Sequence, residues 1–168
     1  MQAYDACRLL AANLFNMVVD HWKKTATIDY DKVYEIFYIQ QRLADDIVDL
    51  EIKAVERIIS KIKADKEPDD VKAVELELWE NIRDVASKSR RTGCGFTAMA
   101  DMLAALGLKY DSDEAIKVIE KVMSTKLRAE LDCGIDMAIQ RGTFEGWDPD
   151  KEFRIVYGKM LGQNSFYQ

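Results

Sequence analysis

A glycine-rich break lies between the helical segments of this chain, and it reads Arg90-Arg91-Thr92-Gly93-Cys94-Gly95-Phe96-Thr97. Glycine is less favourable in a helix than alanine by about 1 kcal/mol, so two glycines around one residue interrupt the helical pattern. The arrangement is typical of a turn, or of a strand where another backbone comes close. Helical periodicity flanks the break, which predicts a mainly α fold: several long helices with one or two short strands.

Two long helices are predicted before the break. Apolar residues recur there at steps of three and four, which places them on one face of a helix. The first helix begins at the N-cap Asp29 and runs to about Lys63, and the second begins at Pro68 and ends near Arg90. The predicted apolar faces are Val33, Ile36, Phe37, Leu43, Ile47, Leu50, Ala54, Ile58 and Ile62, and then Val71, Val74, Leu78, Ile82 and Val85.

Two further helices are predicted after the break. Thr97 is the predicted cap of a short helix over 98–106. The spacing of Asp111 and Glu114 predicts a capping box for a long last helix, which ends at Gly142. The predicted apolar face of this last helix consists of Ile116, Ile119, Met123, Leu127, Leu131, Ile135 and Ile139.

The two ends of the chain are less regular. Over Tyr4–Val19 the pattern fits a helix, but Cys7-Arg8-Leu9-Leu10 also fits a short buried strand that leads into one. Residues 143–168 are interpreted as an irregular, aromatic-rich tail that needs a surface to pack against. Its aromatic residues include Phe144, Trp147, Phe153, Tyr157, Phe166 and Tyr167.

Composition indicates a soluble, folded chain of one domain. It has 168 residues, of which 48% are hydrophobic and 32% charged, and a net charge of −6. No basic stripe of the kind that binds nucleic acid or anionic membranes is visible, so neither is expected as a partner. The longest mostly apolar stretch, Leu9–Val19, is too short to span a membrane, and the N-terminus lacks the pattern of a secretory signal. We therefore expect a cytoplasmic protein.

An acidic cluster, Asp45-Asp46-Asp49-Glu51, lies in the first long helix. It could hold a cation, but a carboxylate metal site in a helical bundle usually adds a Glu-x-x-His motif, and the chain has one histidine, His21. We therefore predict no metal site and interpret the cluster as a solvated or partner-facing acidic patch.

The glycine-rich break also raises the question of an anion site. Glycine amides beside Arg90 and Arg91 could cradle a phosphate. The phosphate-loop spacing GxxxxGK[ST] is absent, however. A close backbone approach in a core is the favoured interpretation of Gly93-Cys94-Gly95.

The three cysteines are far apart in the sequence, at Cys7, Cys94 and Cys133. This spacing argues against a disulfide scaffold and against a zinc ribbon. Cys94 and Cys133 are interpreted as small packing residues. Cys7 stands beside Arg8, and a neighbouring arginine can lower the pKa of a thiol. Residue types alone still favour a structural Cys7.

Several stretches taken together resemble the catalytic subunit of ribonucleotide reductase, in its adenosylcobalamin-dependent (class II) branch. The longest of them is Arg90–Thr97 followed by Asp101-Met102-Leu103-Ala104-Ala105-Leu106-Gly107-Leu108. The others are Tyr4–Leu9 (YDACRL), Gln41–Glu51 (QRLADDIVDLE), Arg141–Phe144 (RGTF) and Asn164–Tyr167 (NSFY). The resemblance covers nearly the whole chain.

The resemblance implies a slice of a ten-stranded α/β barrel with helices outside. Residues 1–168 would be a single partial domain that supplies a strand at Cys7, a block of outer helices and a second short strand at Gly93 to Phe96. In the family, a thiyl radical removes the 3′ hydrogen of the substrate. A separate cysteine pair then supplies two electrons for loss of the 2′ hydroxyl, and becomes a disulfide.

Cys7 matches one cysteine of that reducing pair, so the resemblance implies a redox-active thiol. The radical loop, the partner of Cys7 and the phosphate-binding stretch are expected in N-terminal and C-terminal reductase segments outside this chain. Those segments would be its partners, an oligomer is left open, and the ribonucleotide would bind only to the assembled enzyme. Adenosylcobalamin is the implied cofactor, with no binding site evident in this chain.

The expected function is therefore that of a component of ribonucleotide reductase, inactive alone, in deoxyribonucleotide synthesis. The main alternative is a non-catalytic helical remnant or interaction module that binds reductase segments or itself. A weaker alternative is a cobalamin-independent member that uses the radical of a partner subunit. The sequence leaves open whether the substrate is a diphosphate or a triphosphate.

Overall fold

The structure is a computed structural model that describes residues 3–149. Its described part is mainly α, as the sequence predicts. In chain order the elements are strand β1 (Arg8–Asn13), a 3-10 helix (Leu14–Met17), strands β2 (Val18–Val19) and β3 (Thr27–Ile28), helices α1 (Tyr30–Ala64) and α2 (Asp69–Ser89), strand β4 (Thr92–Thr97), and helices α3 (Met99–Ala105) and α4 (Asp113–Arg141).

Strands β1 and β4 form a two-stranded parallel sheet. The register places Arg8 opposite Thr92 and Asn13 opposite Thr97. Parallel strands need a long crossover connection, and α1 and α2 supply it here. The strand interpretation is therefore confirmed from Arg8 onward, and a strand replaces the alternative of a helix here. Cys7 precedes the strand, and Leu9 is exposed, so the expectation of a buried strand is wrong at these two residues.

A second, antiparallel pair joins β2 to β3, with Val18 opposite Ile28 and Val19 opposite Thr27. This pair is not predictable from the sequence pattern. Strands of two residues are too short to show the alternation by which strands are found.

Helices α1 and α4 lie side by side and run in the same direction. Polar side chains link them at regular intervals, each from α1 to a residue 98 positions later in α4. These links, which we call the polar ladder, are Tyr34 Oη to Asp132 (2.8 Å), Tyr38 Oη to Asp136 (2.7 Å) and Arg42 Nη1 to Gln140 (3.1 Å). Because the offset is constant over two helical turns, the helices are parallel and in register.

One apolar core lies at the N-terminal ends of α1 and α4. Phe37, Leu14 and Met102 are its largest fully buried side chains. The apolar core consists of Ala12, Leu14, Met17, Val18, Ile28, Val33, Phe37, Met102, Leu103, Ala105, Ala115, Val122 and Ala129. The 3-10 helix and α3 thus cover one end of the helix pair.

The helices are found where they were predicted, but their buried faces differ from the predicted ones. Along α1 the buried residues include Ala44, Val48 and Val55, whereas Leu43 and Leu50 are exposed. In α4 the buried residues are small or medium-sized: Ala115, Val122, Ala129 and Cys133. Small side chains let two helices approach closely, so the larger apolar residues lie on the flanks.

Large apolar side chains therefore remain exposed on several helices. In α2, whose predicted apolar face is not its buried face, only Ala86 is buried, and Val74 is 70% exposed. In α4 the exposed fraction of Ile139 is 76%. Phe153, Tyr157, Phe166 and Tyr167, and so most of the predicted aromatic tail, lie outside the described residues.

The helix ends follow the predictions in part. Asp29 accepts a hydrogen bond from Lys32 N and caps α1, and Gly142 ends α4 with a φ of 80°. The cap of α4 is Ser112, whose hydroxyl accepts from Ala115 N, so the predicted capping box at Asp111 is wrong. Thr97 is also not a cap, because it is the last residue of β4.

Candidate functional site: an exposed thiol beside a glycine strand

Cys7 lies immediately before β1, on the open face of the β1–β4 sheet. The residue is exposed and its thiol is free. Its Sγ is 3.2 Å from the point where a Cβ on Gly93 would stand, and Leu9 Cδ2 overlaps the same point. Leu9 pairs with Gly93 in the sheet register. Since side chains alternate along an extended chain, Cys7 and Leu9 share one face, with Gly93 between them.

Asp5 fixes the chain on one side of Cys7. Its side chain is fully buried and forms an ion pair with Arg91 Nε. Ser89 Oγ donates to the other carboxylate oxygen at 3.3 Å. The segment that carries the exposed thiol is thus attached to the junction between α2 and β4.

Arg8 fixes the chain on the other side of Cys7. Its guanidinium is buried, donates to Glu51 of α1 at 2.5 Å, and donates to the Ala6 carbonyl at 2.7 Å. Arg8 therefore lies on the helix-facing side of the sheet, opposite to the side that holds the thiol. Its guanidinium pairs with Glu51 of α1 and does not point at the Cys7 sulfur. The structure therefore does not support the suggestion that Arg8 lowers the pKa of the Cys7 thiol.

A polar layer lies between the sheet and α1, where an α/β interface is usually apolar. Gln40 is buried, and its Nε2 donates to the carbonyl of Leu10 in β1 (2.7 Å) and to that of Gly95 in β4 (3.0 Å). One side chain thereby ties both strands to the helix. Sequence reasoning missed Gln40, because a glutamine within an apolar helical stripe gives no sign that it faces strand carbonyls.

The other two thiols are withdrawn from solvent. Cys94 points to the helix side of β4, where its Sγ donates to Gln41 at 3.2 Å, and burial raises its pKa to about 11. Cys133 is fully buried in α4, and burial raises its pKa as well. A thiol reacts as the thiolate, so both cysteines are protonated and unreactive at neutral pH. The packing role predicted for Cys133 is confirmed, and Cys94 adds a hydrogen bond to its packing.

The acidic residues of α1 form an ion-pair cluster with two arginines, which we call the ionic cluster. Asp45, mostly buried, accepts from Arg90 at 2.8 Å and from Arg141 at 2.6 Å. Arg90 also donates to Asp49 at 2.7 Å, and Arg141 donates to Asp46 at 2.6 Å. The cluster therefore joins α1 to the C-terminal ends of α2 and α4, and the interpretation as a solvated or partner-facing patch is wrong.

The electrostatics of the ionic cluster follow from this pairing. The hydrogen bond from Arg141 lowers the pKa of Asp46, and the hydrogen bond to Asp45 raises the pKa of Arg90. Within residues 3–149, no group of three or more His, Cys, Asp or Glu side chains is arranged to hold a metal ion. The arginines occupy the carboxylates that a cation would need.

Arg90 is also held in the left-handed backbone conformation, with a φ of 42°. This conformation is uncommon for residues other than glycine, and it turns the chain sharply from α2 into β4. The phosphate cradle considered for the glycine-rich break is not supported, because Arg90 is already paired with two carboxylates and Leu9 covers Gly93.

A cleft of about 790 Å³ lies over the ionic cluster. Its walls are the last turns of α4 and the segment that follows Gly142, including Phe144 and Trp147. The Gly146 amide donates to the Lys88 carbonyl at 2.9 Å, which fixes this segment against the end of α2.

No helix of the described part is long and apolar enough to cross a membrane.

Comparison with known proteins gives one consistent result. The family model of the ribonucleotide reductase barrel domain matches residues 2–158. A vitamin B12-dependent ribonucleoside-diphosphate reductase from Thermoplasma acidophilum is 31% identical over 144 residues, which are 86% of this chain and 15% of that protein. The enzyme of the same name from Mycobacterium tuberculosis is 26% identical over 141 residues, 84% of this chain and 16% of that protein. The chain thus spans about 15% of the length of these relatives.

Proposed function

The chain belongs to the ribonucleotide reductase barrel-domain family, and we propose that it supplies part of the catalytic barrel of such a reductase, with Cys7 as one thiol of the reducing pair. The observation that carries the proposal is the contrast among its cysteines. Cys7 is exposed on the open sheet face, while Cys94 and Cys133 are withdrawn behind the sheet and between helices. A thiol that must meet both a substrate and a second thiol has to be accessible.

The proposed reaction consumes two thiols and one ribonucleotide. The Cys7 thiol and the thiol of a second cysteine, from another part of the assembled reductase, give up two electrons and two protons and become a disulfide. The 2′ hydroxyl of the ribonucleotide leaves as water, and hydrogen takes its place. Each turnover therefore yields one deoxyribonucleotide, one water molecule and one disulfide, which an external dithiol must reduce again.

We further propose that β1 and β4 are neighbouring strands of the family's barrel. Two-stranded sheets are marginally stable, and additional strands or packed helices are needed for independent stability. The exposed apolar side chains of Leu9, Val74 and Ile139 support coverage of these faces by further reductase segments.

For the assembled enzyme we propose a ribonucleoside diphosphate as substrate and a vitamin B12 cofactor, following the names of the relatives, and we propose the adenosyl form from the sequence resemblance. We assign none of residues 3–149 to the cofactor. The His21 ring nitrogen is 3.1 Å from the Phe15 carbonyl, and the charged groups of the cleft are paired with one another. No step assigned to this chain therefore involves the cofactor.

Reconstitution tests the proposal. The 168-residue chain is mixed with separately expressed segments of the Thermoplasma acidophilum relative that lie outside the matched region, together with adenosylcobalamin and a dithiol, and deoxyribonucleotide formation is measured. We expect turnover that requires this chain, that is abolished by Cys7→Ser, and that survives the matched change Cys94→Ser.

Two results would contradict the proposal. Turnover retained in Cys7→Ser would remove Cys7 from the reducing pair. A chain that unfolds cooperatively, binds the segments and gives no turnover would instead support a non-catalytic interaction module.

A further inference from the structure

We propose that Gly93 is a positioning residue for Cys7: the missing side chain of Gly93 leaves the clearance in which the Cys7 sulfur lies against β4 and can accept a second sulfur. This inference rests on the proposed function of Cys7. It adds the strand position that determines where the reactive sulfur lies.

The clearance is visible in the contacts at Gly93. A Cβ there would lie 3.2 Å from Cys7 Sγ and would overlap Leu9 Cδ2. A carbon and a sulfur in ordinary contact are several tenths of an ångström further apart, so the neighbours would have to move. Leu9 is 76% exposed and can move into solvent. Cys7 has less freedom, because its neighbours Asp5 and Arg8, whose own side chains are buried, form ion pairs that hold the backbone on both sides.

Gly95, two residues along the same strand, provides an internal comparison. A Cβ on Gly95 would meet only the Leu10 carbonyl, at an ordinary 3.5 Å. Both glycines belong to β4, and neither has the positive φ that would itself require glycine. The need for a missing side chain is therefore steric, and of the two β4 glycines only Gly93, the one beside the thiol, has it.

The clearance matters more once the sulfur carries a second sulfur. A mixed disulfide is bulkier at Sγ than a thiol, and its dihedral angle must stay near ±90°. A methyl group at position 93 would therefore disfavour the disulfide more than the thiol. Forcing a side chain away from its rotamer costs on the order of 0.5–1.5 kcal/mol, which corresponds to a change of about two- to tenfold in an equilibrium constant.

Thiol–disulfide exchange with glutathione tests the inference on the 168-residue chain. Cys7 thiol reacts with glutathione disulfide to give the Cys7–glutathione mixed disulfide and one free glutathione. The equilibrium constant is measured by acid quenching and peptide mass spectrometry, which assigns the adduct to Cys7. The variants are Gly93→Ala, the matched control Gly95→Ala, and the double variant Leu9→Ala/Gly93→Ala.

We expect Gly93→Ala to lower the equilibrium constant by about two- to tenfold, and Gly95→Ala to leave it unchanged. The double variant removes the overlap with Leu9 but keeps the contact with sulfur, so it should remain lowered. The same measurement in denaturant should give one common value for all the variants.

Equal constants for Gly93→Ala and Gly95→Ala would overturn the inference. Recovery of the wild-type constant in the double variant would also overturn it, because the effect would then act through Leu9. These outcomes are separate from the proposed function. Turnover retained in Cys7→Ser would refute the redox role without changing the exchange data, whereas unchanged exchange would refute the positioning role and leave the redox role intact.

Discussion

The two ends of the α1–α4 pair are stabilised by different interactions, apolar packing at one end and ion pairs at the other. At the N-terminal end, the apolar core surrounds Phe37, and its contacts depend on shape and exclusion of water. At the other end, the ionic cluster surrounds Asp45, and its contacts depend on charge. We expect the apolar end to contribute more to the stability of the helix pair, whereas the ionic end adjoins β4, the strand that faces Cys7.

The largest effect is expected at the apolar end. Phe37→Ala removes a ring that is fully buried and leaves a cavity among α1, α3 and α4. The free energy of unfolding should fall by about 3–5 kcal/mol. Urea denaturation followed by circular dichroism measures it. A loss of less than about 1 kcal/mol would mean that the apolar core is not the stabilising end.

An intermediate effect is expected at the ionic end. Asp45→Asn keeps the shape of the side chain but removes the charge between Arg90 and Arg141, whose side chains are 21% and 34% exposed. Because the arginines are partly solvated, we expect a loss of about 2–3 kcal/mol in the free energy of unfolding, below the range for a fully buried pair.

The matched control is Asp46→Asn, which removes a carboxylate that is 42% exposed from the same cluster. Its expected loss is about 1 kcal/mol or less, because exposed ion pairs contribute little. Equal losses in the two variants would show that burial of Asp45 does not govern the cluster.

The smallest effect is expected between the two ends, at the polar ladder. The hydrogen bond to Asp136 raises the pKa of Tyr38 to about 12. The folded pKa lies above the unfolded value of about 10, so the contribution of this bond is complete below pH 10 and is lost as the pH rises through 12.

Tyrosinate absorbance measures this ionisation. Tyr38→Phe should remove one tyrosine that ionises near pH 12, and Asp136→Asn should shift its ionisation to lower pH. Titration curves that match the wild-type curve in both variants would contradict the hydrogen bond.

The helices of this chain are predictable from sequence because their periodicity is local. Asp29 and Gly142 end their helices as predicted for the same reason, since a cap interacts with residues only a few positions away. The buried faces are not predictable in the same way. Leu43 and Ala44 are adjacent and both apolar, yet Ala44 is fully buried and Leu43 is half exposed, a difference that depends on which side of α1 the other elements cover.

The candidate site is predictable only at Cys7, and only through the resemblance. Asp45 and Arg141 are 96 positions apart, so no local sequence pattern predicts their ion pair. Gln40 reaches Leu10 and Gly95 from 30 and 55 positions away. Carboxylates that are paired with distant arginines have the same sequence pattern as solvated ones, so the acidic cluster has the sequence pattern of a surface patch.

The constant offset of the polar ladder determines where this chain can change in length. One residue inserted within α1 or α4 rotates everything beyond it by about 100°, so every later pair of the ladder would be lost at once. One residue inserted in the connectors at 65–68 or 106–112 changes the offset from 98 to 99 in the numbering and leaves each pair in space as it was. Natural insertions and deletions among relatives should therefore accumulate in those two connectors.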